Sequence, residues 1–137
     1  MRHFNLDSRD YKFEEKFTAG IVLSGGDVKS LRNQTTPMLG SRVDVVEGYP
    51  KLLNINIPRY KFSNTFDDSG ERDLLLSNKE ILKLITYKKQ KLMMVPISIF
   101  TQGRFFKLDF GVGHKLKKHD KREKIKKAEM KEKGEKY

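Results

Sequence analysis

"LMMVPISIFTQGRFFKLDF", Leu92–Phe110, holds two apolar runs on either side of a Thr-Gln-Gly break. In the second run Phe106, Leu108 and Phe110 recur at every other position with Lys107 and Asp109 between them. That period of two sends apolar side chains to one face of a strand and charges to the other. The first run has a similar composition, so the stretch reads as an antiparallel hairpin with one wet face. Pro96 has no N–H to donate to a ladder, which places it at an edge or a bulge.

Working outward, Val43–Glu47 and Lys51–Ile57 are short β-branched and aliphatic runs on either side of "GYP", a second hairpin. Within "LLNINI" the alternation puts Leu53, Ile55 and Ile57 on one side and Asn54 and Asn56 on the other. Ser77 followed by Glu80 has capping-box spacing, and Ile81, Leu82, Leu84 and Ile85 continue it as a helix to about Lys89. Asp27 is placed to cap a short helix through Leu31, with Gly25 and Gly26 turning the corner from the strand before it. Lys61–Glu71, "KFSNTFDDSGE", reads as a mobile loop. Short strands at close spacing with one or two helices predict a small, mostly antiparallel barrel.

A chain of 137 residues without cysteine is sized for one domain with a modest core and no covalent staples, and fits a reducing cytosol. No apolar run approaches the ~20 residues that span a bilayer, and the start lacks a signal-peptide segment, so a soluble, unprocessed cytoplasmic protein is expected. The net charge of +11 argues for a polyanionic partner. His114–Tyr137 carries 11 basic against 5 acidic residues, more than half of that excess in under a fifth of the chain.

In that tail only Leu116, Ile125, Ala128 and Met130 are apolar, too few to dock on the body. Asp120 with Glu123 has capping-box spacing, and Glu123 with Lys127, Glu129 with Lys133 and Glu132 with Lys136 place acid before base at i, i+4. At about 0.2–0.5 kcal/mol each, such pairs bias the tail toward a helix without holding it there. A tail disordered alone that becomes helical on an RNA surface and a solvated charged tail both fit this composition.

Catalysis finds little support. His3, His114 and His119 show no metal-ligand spacing, there is no cysteine nucleophile, and "LSGG" lacks the lysine of a phosphate loop. The acids Asp7, Asp10, Glu14 and Glu15 are scattered near a terminus, where carboxylates usually face solvent. Neither a metal nor another cofactor is expected.

"AGIVLSGGDVKSLR", Ala19–Arg32, resembles the "EAGI.L.G.EVKS.R" stretch of the SmpB family, small basic proteins that partner transfer-messenger RNA in bacterial trans-translation. "LLN" with Tyr60, "RDLLLSNKEILKL", "MMVPISIF", "GRFFKLDFGVG" and "KKHDKR" resemble further family motifs in the family's order, over about Arg9–Ile125. The resemblance implies an OB-like antiparallel β-barrel with flanking helices, mainly β, followed by a basic C-terminal tail. The boundaries expected are an N-terminal extension over 1–8, the barrel over 9–113 and the tail over 114–137.

It also implies the partners: the transfer-RNA-like domain of transfer-messenger RNA, the small-subunit decoding centre and messenger channel of a stalled ribosome, and elongation factor Tu indirectly through the charged RNA. The protein would act as a monomer. Carried onto this chain, Asp27 falls at an acidic position implicated in RNA binding, normally Glu, beside Lys29 and Arg32; a helix cap is its other reading. Leu75 and Ser77 fall on a second RNA-contacting segment, where Ser77 replaces Asn or His and Leu75 reads equally as core. Tyr11 matches a tyrosine able to stack on a base, and Arg9 replaces a histidine. In the tail Lys117, Lys118, His119, Asp120, Lys121 and Arg122, followed by Lys124, Lys126 and Lys127, would serve the decoding centre, with His119 as a stacking ring. Lys115 and Leu116 replace a family Gly and Lys. The rival class is a generic OB-type RNA-binding or ribosome-associated protein, which the same charge and barrel would serve.

Overall fold

The computed structural model describes residues 2–61 and 69–117. The deciding stretch is a hairpin: β6 (Met93–Gln102) and β7 (Phe105–Lys115) pair antiparallel, with a register shift between Pro96 and Ser98. Pro96 thus sits at a bulge inside a paired strand. Numbering follows the chain: β1 (Arg2–Phe4), β2 (Tyr11–Ile21), α1 (Gly25–Asn33), β3 (Arg42–Val46), β4 (Tyr49–Leu53), β5 (Arg72–Leu75) and α2 (Asn78–Lys89), with a 3-10 turn at Leu6–Asp10.

Six strands bond in a closed circuit, β6-β3-β4-β5-β2-β7 and back to β6, and every pairing is antiparallel. β1 is added beside β6, where Arg2, His3 and Phe4 face Phe100, Ile99 and Ser98. The expected architecture is therefore present: mainly β, OB-like, with two flanking helices. The segment read as an N-terminal extension contributes β1 and most of the 3-10 turn. His3 is buried, its Nδ1 accepting the Thr36 N–H at 3.2 Å while Nε2 meets the Leu31 carbonyl at 2.8 Å. With Nδ1 accepting, the ring proton must lie on Nε2, which donates to that carbonyl.

Inside the circuit, Phe17 and Ala19 of β2, Leu52 of β4, Leu74 of β5, Ile99 of β6 and Phe106, Leu108, Phe110 and Val112 of β7 form one core. The alternation read in "RFFKLDF" is this inward face. In "LLNINI" the outcome differs. β4 ends at Leu53, Asn54 turns left-handed at φ 56°, and Leu52 is buried with Ile55 and Ile57 while Leu53 is only half-buried. The twisted residue shifts the side-chain alternation by one. The hairpin turn also lies one step earlier than "GYP", at Glu47 and Gly48, both left-handed, as a tight two-residue turn requires.

α2 runs over the expected span with Ser77 as cap: its hydroxyl accepts the Glu80 N–H and the Glu80 carboxylate accepts the Ser77 N–H. In α1 the cap is Ser24 rather than Asp27, and the two glycines stand in the helix's first turn, not in a left-handed corner. Leu84 is fully buried under α2, whereas Leu82 faces solvent. Lys88 ties the helix to β3 through the Asp44 carboxylate at 2.8 Å and the Val45 carbonyl at 3.0 Å. Residues 62–68, most of the expected mobile loop, lie outside the described residues.

Candidate nucleic-acid interface

Ser24 and Asp27 form a reciprocal capping box at the start of α1, Ser24 Oγ accepting the Asp27 N–H and Asp27 Oδ2 accepting the Ser24 N–H. The carboxylate does more than cap. Arg72, the first residue of β5, donates from Nε to Oδ2 at 2.8 Å and from Nη2 to Oδ1 at 3.0 Å, while its Nη1 bonds the Glu71 carbonyl at 2.7 Å. Both side chains are under 5 % exposed. A two-toothed Arg–carboxylate pair fixes direction as well as distance, so α1 and β5 are joined rigidly. Asp27 is thus the N3 partner of the Ser24 cap rather than the cap itself, and its carboxylate is held by Arg72. A buried carboxylate holding three donors has little left to offer a base amine or ribose hydroxyl.

This junction organises the candidate residues around it. Lys29 and Arg32 project from α1 into solvent, and neither has a side-chain partner among the described residues. Leu75, three residues beyond Arg72, alternates outward and is 62 % exposed, so its core reading falls away. Ser77 is exposed two residues later, but its hydroxyl and N–H are both committed to Glu80. Two cations and an exposed apolar side chain on joined elements suit a phosphate backbone with a sugar or base face beside it.

Arg9 and Tyr11 lie elsewhere. Tyr11 opens β2 opposite Lys115, whereas Gly20, at the other end of the strand, faces Leu75. Nine residues of extended chain separate Tyr11 from Gly20, about 30 Å at ~3.4 Å each. Sequence spacing alone could not show this, because β2 carries a bulge between Phe13 and Glu15 that interrupts its alternation. Tyr11 instead stacks near-parallel to Phe13, with centroids 6.3 Å apart. Its phenol is held above the usual tyrosine pKa, first by burial and then by Asp7 and Asp10, so it presents a neutral ring. The tail leaves from the same corner: the Leu116 N–H donates to the Asp10 carbonyl at 2.8 Å, and His114, Lys115 and Lys117 are exposed beside Arg9. Lys118, His119, Asp120, Lys121, Arg122, Lys124, Lys126 and Lys127 lie outside the described residues.

Arg72 was the residue whose role the sequence left unread. Its signal was present: in "RDLLL" the alternation puts Arg72 on the same face as buried Leu74, and a cation on a core face demands an anionic partner. Which acid would answer, 45 positions away, was not legible.

Fold and surface together define a class: an OB-like ring of antiparallel strands with two helices, with exposed cations on α1, an exposed leucine on β5 where it meets one end of β2, and a basic tail root at the other end. The family model described as SmpB protein matches residues 5–137, and the chain belongs to that family. It is 40% identical over 129 residues to the SsrA-binding protein of Oceanobacillus iheyensis, spanning 90% of this chain and 83% of that one. Identity to the SsrA-binding protein of Anoxybacillus flavithermus is 41% over 123 residues, 88% and 80% of the two chains. A chain from the solved structure described as "tmRNA-SmpB: a journey to the center of the bacterial ribosome" superposes with a TM-score of 0.68 at 30% identity, covering 90% of this chain and 94% of that one.

Proposed function

We propose that this protein binds the transfer-RNA-like domain of transfer-messenger RNA and delivers it to stalled ribosomes for trans-translation. The observation that carries the reading is family membership over residues 5–137, at about 40% identity to SsrA-binding proteins. The protein works by recognition, with no covalent step of its own, in the cytoplasm where ribosomes are. Lys29 and Arg32 meet phosphates, Leu75 packs on a sugar or base, and Asp27 acts by holding α1 on β5. Ser77 sets the start of α2 beside that contact.

Arg9 and Tyr11 form a second contact at the root of the tail. From there the basic segment that follows β7, with Lys117, Lys118, His119, Asp120, Lys121, Arg122, Lys124, Lys126 and Lys127, enters the empty messenger channel and adopts a helix at the small-subunit decoding centre; the tail expected from 114 thus starts after Lys115, the last residue of β7. The charged RNA arrives with elongation factor Tu, which this protein meets only through the RNA. One folded domain, which includes β1 at its start and β7 to Lys115 at its end, and one tail thus divide the work between RNA and ribosome.

Reconstituted stalled ribosomes test this. With the full chain and alanyl-transfer-messenger RNA the nascent peptide should acquire the tag. A chain ending at Lys117 should bind the RNA within about threefold of the full chain while tagging is lost, since fewer phosphate contacts weaken affinity but leave the folded patch intact. Tagging that survives the truncation contradicts the role given to the tail.

A further inference from the structure

Strand register lines up five residues across five strands. Arg2 of β1 faces Phe100 of β6, Phe100 faces Lys107 of β7, Lys107 faces Gly20 of β2, and Gly20 faces Leu75 of β5. Residues directly opposite in a ladder project from the same face, and strands lie about 4.8 Å apart, so the row runs about 19 Å over the outer surface. It begins at Leu75, already in the candidate interface. Gly20 leaves room there: a Cβ on it would lie 3.3 Å from Leu75 Cβ and 3.4 Å from Cδ1, so the leucine leans over a bare backbone.

At the far end the Arg2 guanidinium sits 4.6 Å from the Phe100 ring centroid and 5.8 Å from that of Phe4, which is 62 % exposed. Lys107, between the two ends, has no side-chain partner among the described residues. Two carboxylates share this face: Asp109 takes the Thr18 hydroxyl at 2.6 Å and lies 3.9 Å from Arg2, and Asp73, two residues before Leu75 on β5, lies 3.7 Å from Lys51 Nζ. What remains is cationic and aromatic.

We propose that this row is an RNA-contacting track that continues the Leu75 patch across the sheet, with Lys107 and Arg2 on consecutive phosphates and Phe4 offering a ring to an adjacent base. It rests on the RNA-binding reading above. A flat guanidinium already aligned by two rings loses little freedom on meeting a phosphate or base, and an unpaired lysine has no ion pair to break. Charge complementarity favours a polyanion over an apolar protein partner on this face.

The test is the affinity of the full-length protein for the transfer-RNA-like domain of transfer-messenger RNA over a salt series, with Lys107→Ala, Arg2→Ala and Arg2→Lys. Each alanine variant should weaken binding about three- to tenfold at low salt and flatten the log–log salt slope by about 0.7–0.9, the mark of one lost phosphate. Arg2→Lys, which keeps the charge and β1, should keep the slope and lose affinity, separating a lost contact from a loosened strand. Wild-type affinity and slope in both alanine variants overturn the proposal. Slopes can also be read on transfer RNA, so equal wild-type binding to both RNAs would defeat the choice of partner while leaving the row to be decided by its own variants.

Discussion

At the scale of single residues, the Asp27–Arg72 pair decides the most. Burying two charges is costly, and what recommends this pair is its geometry, with both carboxylate oxygens and all three guanidinium nitrogens engaged. Breaking one side should therefore cost more than the pair contributes. Asp27→Ala strands a buried guanidinium, and we expect a loss of about 3–5 kcal/mol in denaturant unfolding. Replacing both residues by apolar ones should cost distinctly less than that single change. Equal losses would mean that the pair is not a coupled unit. Ser24 and Asp27 have the same S-x-x-D spacing that identified Ser77 and Glu80, but the double glycine between them drew the cap one turn too far along. Leu75 was ambiguous for a different reason: an exposed leucine and a core leucine look alike until a register is known, and only the pairing with Gly20 turns it outward.

Among elements, α2 is held to the ring by a tie that pH should release from both sides. The Tyr87 hydroxyl donates to Glu15 at 2.7 Å and Lys83 reaches the other carboxylate oxygen at 3.2 Å, joining α2 to β2. The Tyr87 bond, aided by Lys83, holds the Glu15 pKa below the ordinary carboxylate range, and the same bond holds the Tyr87 pKa above the ordinary tyrosine range. A lowered carboxyl pKa gives stability that is present above the unfolded value and lost as pH falls through the folded one. A raised phenol pKa gives stability that is present below the unfolded value and lost as pH rises through the folded one. The tie should thus be constant near neutrality. Melting curves of wild type and Glu15→Gln should differ near pH 7 and converge below about pH 4. An undiminished difference in acid would show that Glu15 works through packing. This contact was outside the reach of sequence patterning, since Glu15 follows the β2 bulge. Beside that bulge β7 approaches β2 so closely that only glycine fits at 113: a Cβ there would stand 1.9 Å from the Lys12 carbonyl oxygen. Hairpins and helices were legible because local periodicity makes them. Bulges and cross-element ties were not, because distant partners make them.

For the whole molecule, charge and shape divide the labour. The net charge of +11 favours any polyanion, and more than half of it belongs to the segment over 114–137, whose root at Lys115 faces Tyr11, while Leu75 faces Gly20 at the other end of β2. Charge alone cannot choose among RNAs, because every phosphate backbone offers the same sign. In the function proposed, selectivity comes from the residues on α1 and β5 that the Asp27–Arg72 junction holds in place. The family motifs name residues at both ends of β2, and the fold sets those ends nine strand residues apart, about 30 Å of chain at ~3.4 Å each, which in the function proposed serves two contacts in place of one. The measurement that tests this most directly is a competition of transfer-messenger RNA, transfer RNA and unstructured RNA of equal length for the full-length protein near physiological salt, with Leu75→Asn alongside. That change leaves charge untouched and, at an exposed position, leaves the core intact. Preference for transfer-messenger RNA is expected, with a loss of about five- to thirtyfold in Leu75→Asn, about 1–2 kcal/mol for one lost stacking or packing contact, and an unchanged salt slope. Equal binding of all three RNAs, indifferent to Leu75, would contradict it and leave a basic protein that recognises charge alone.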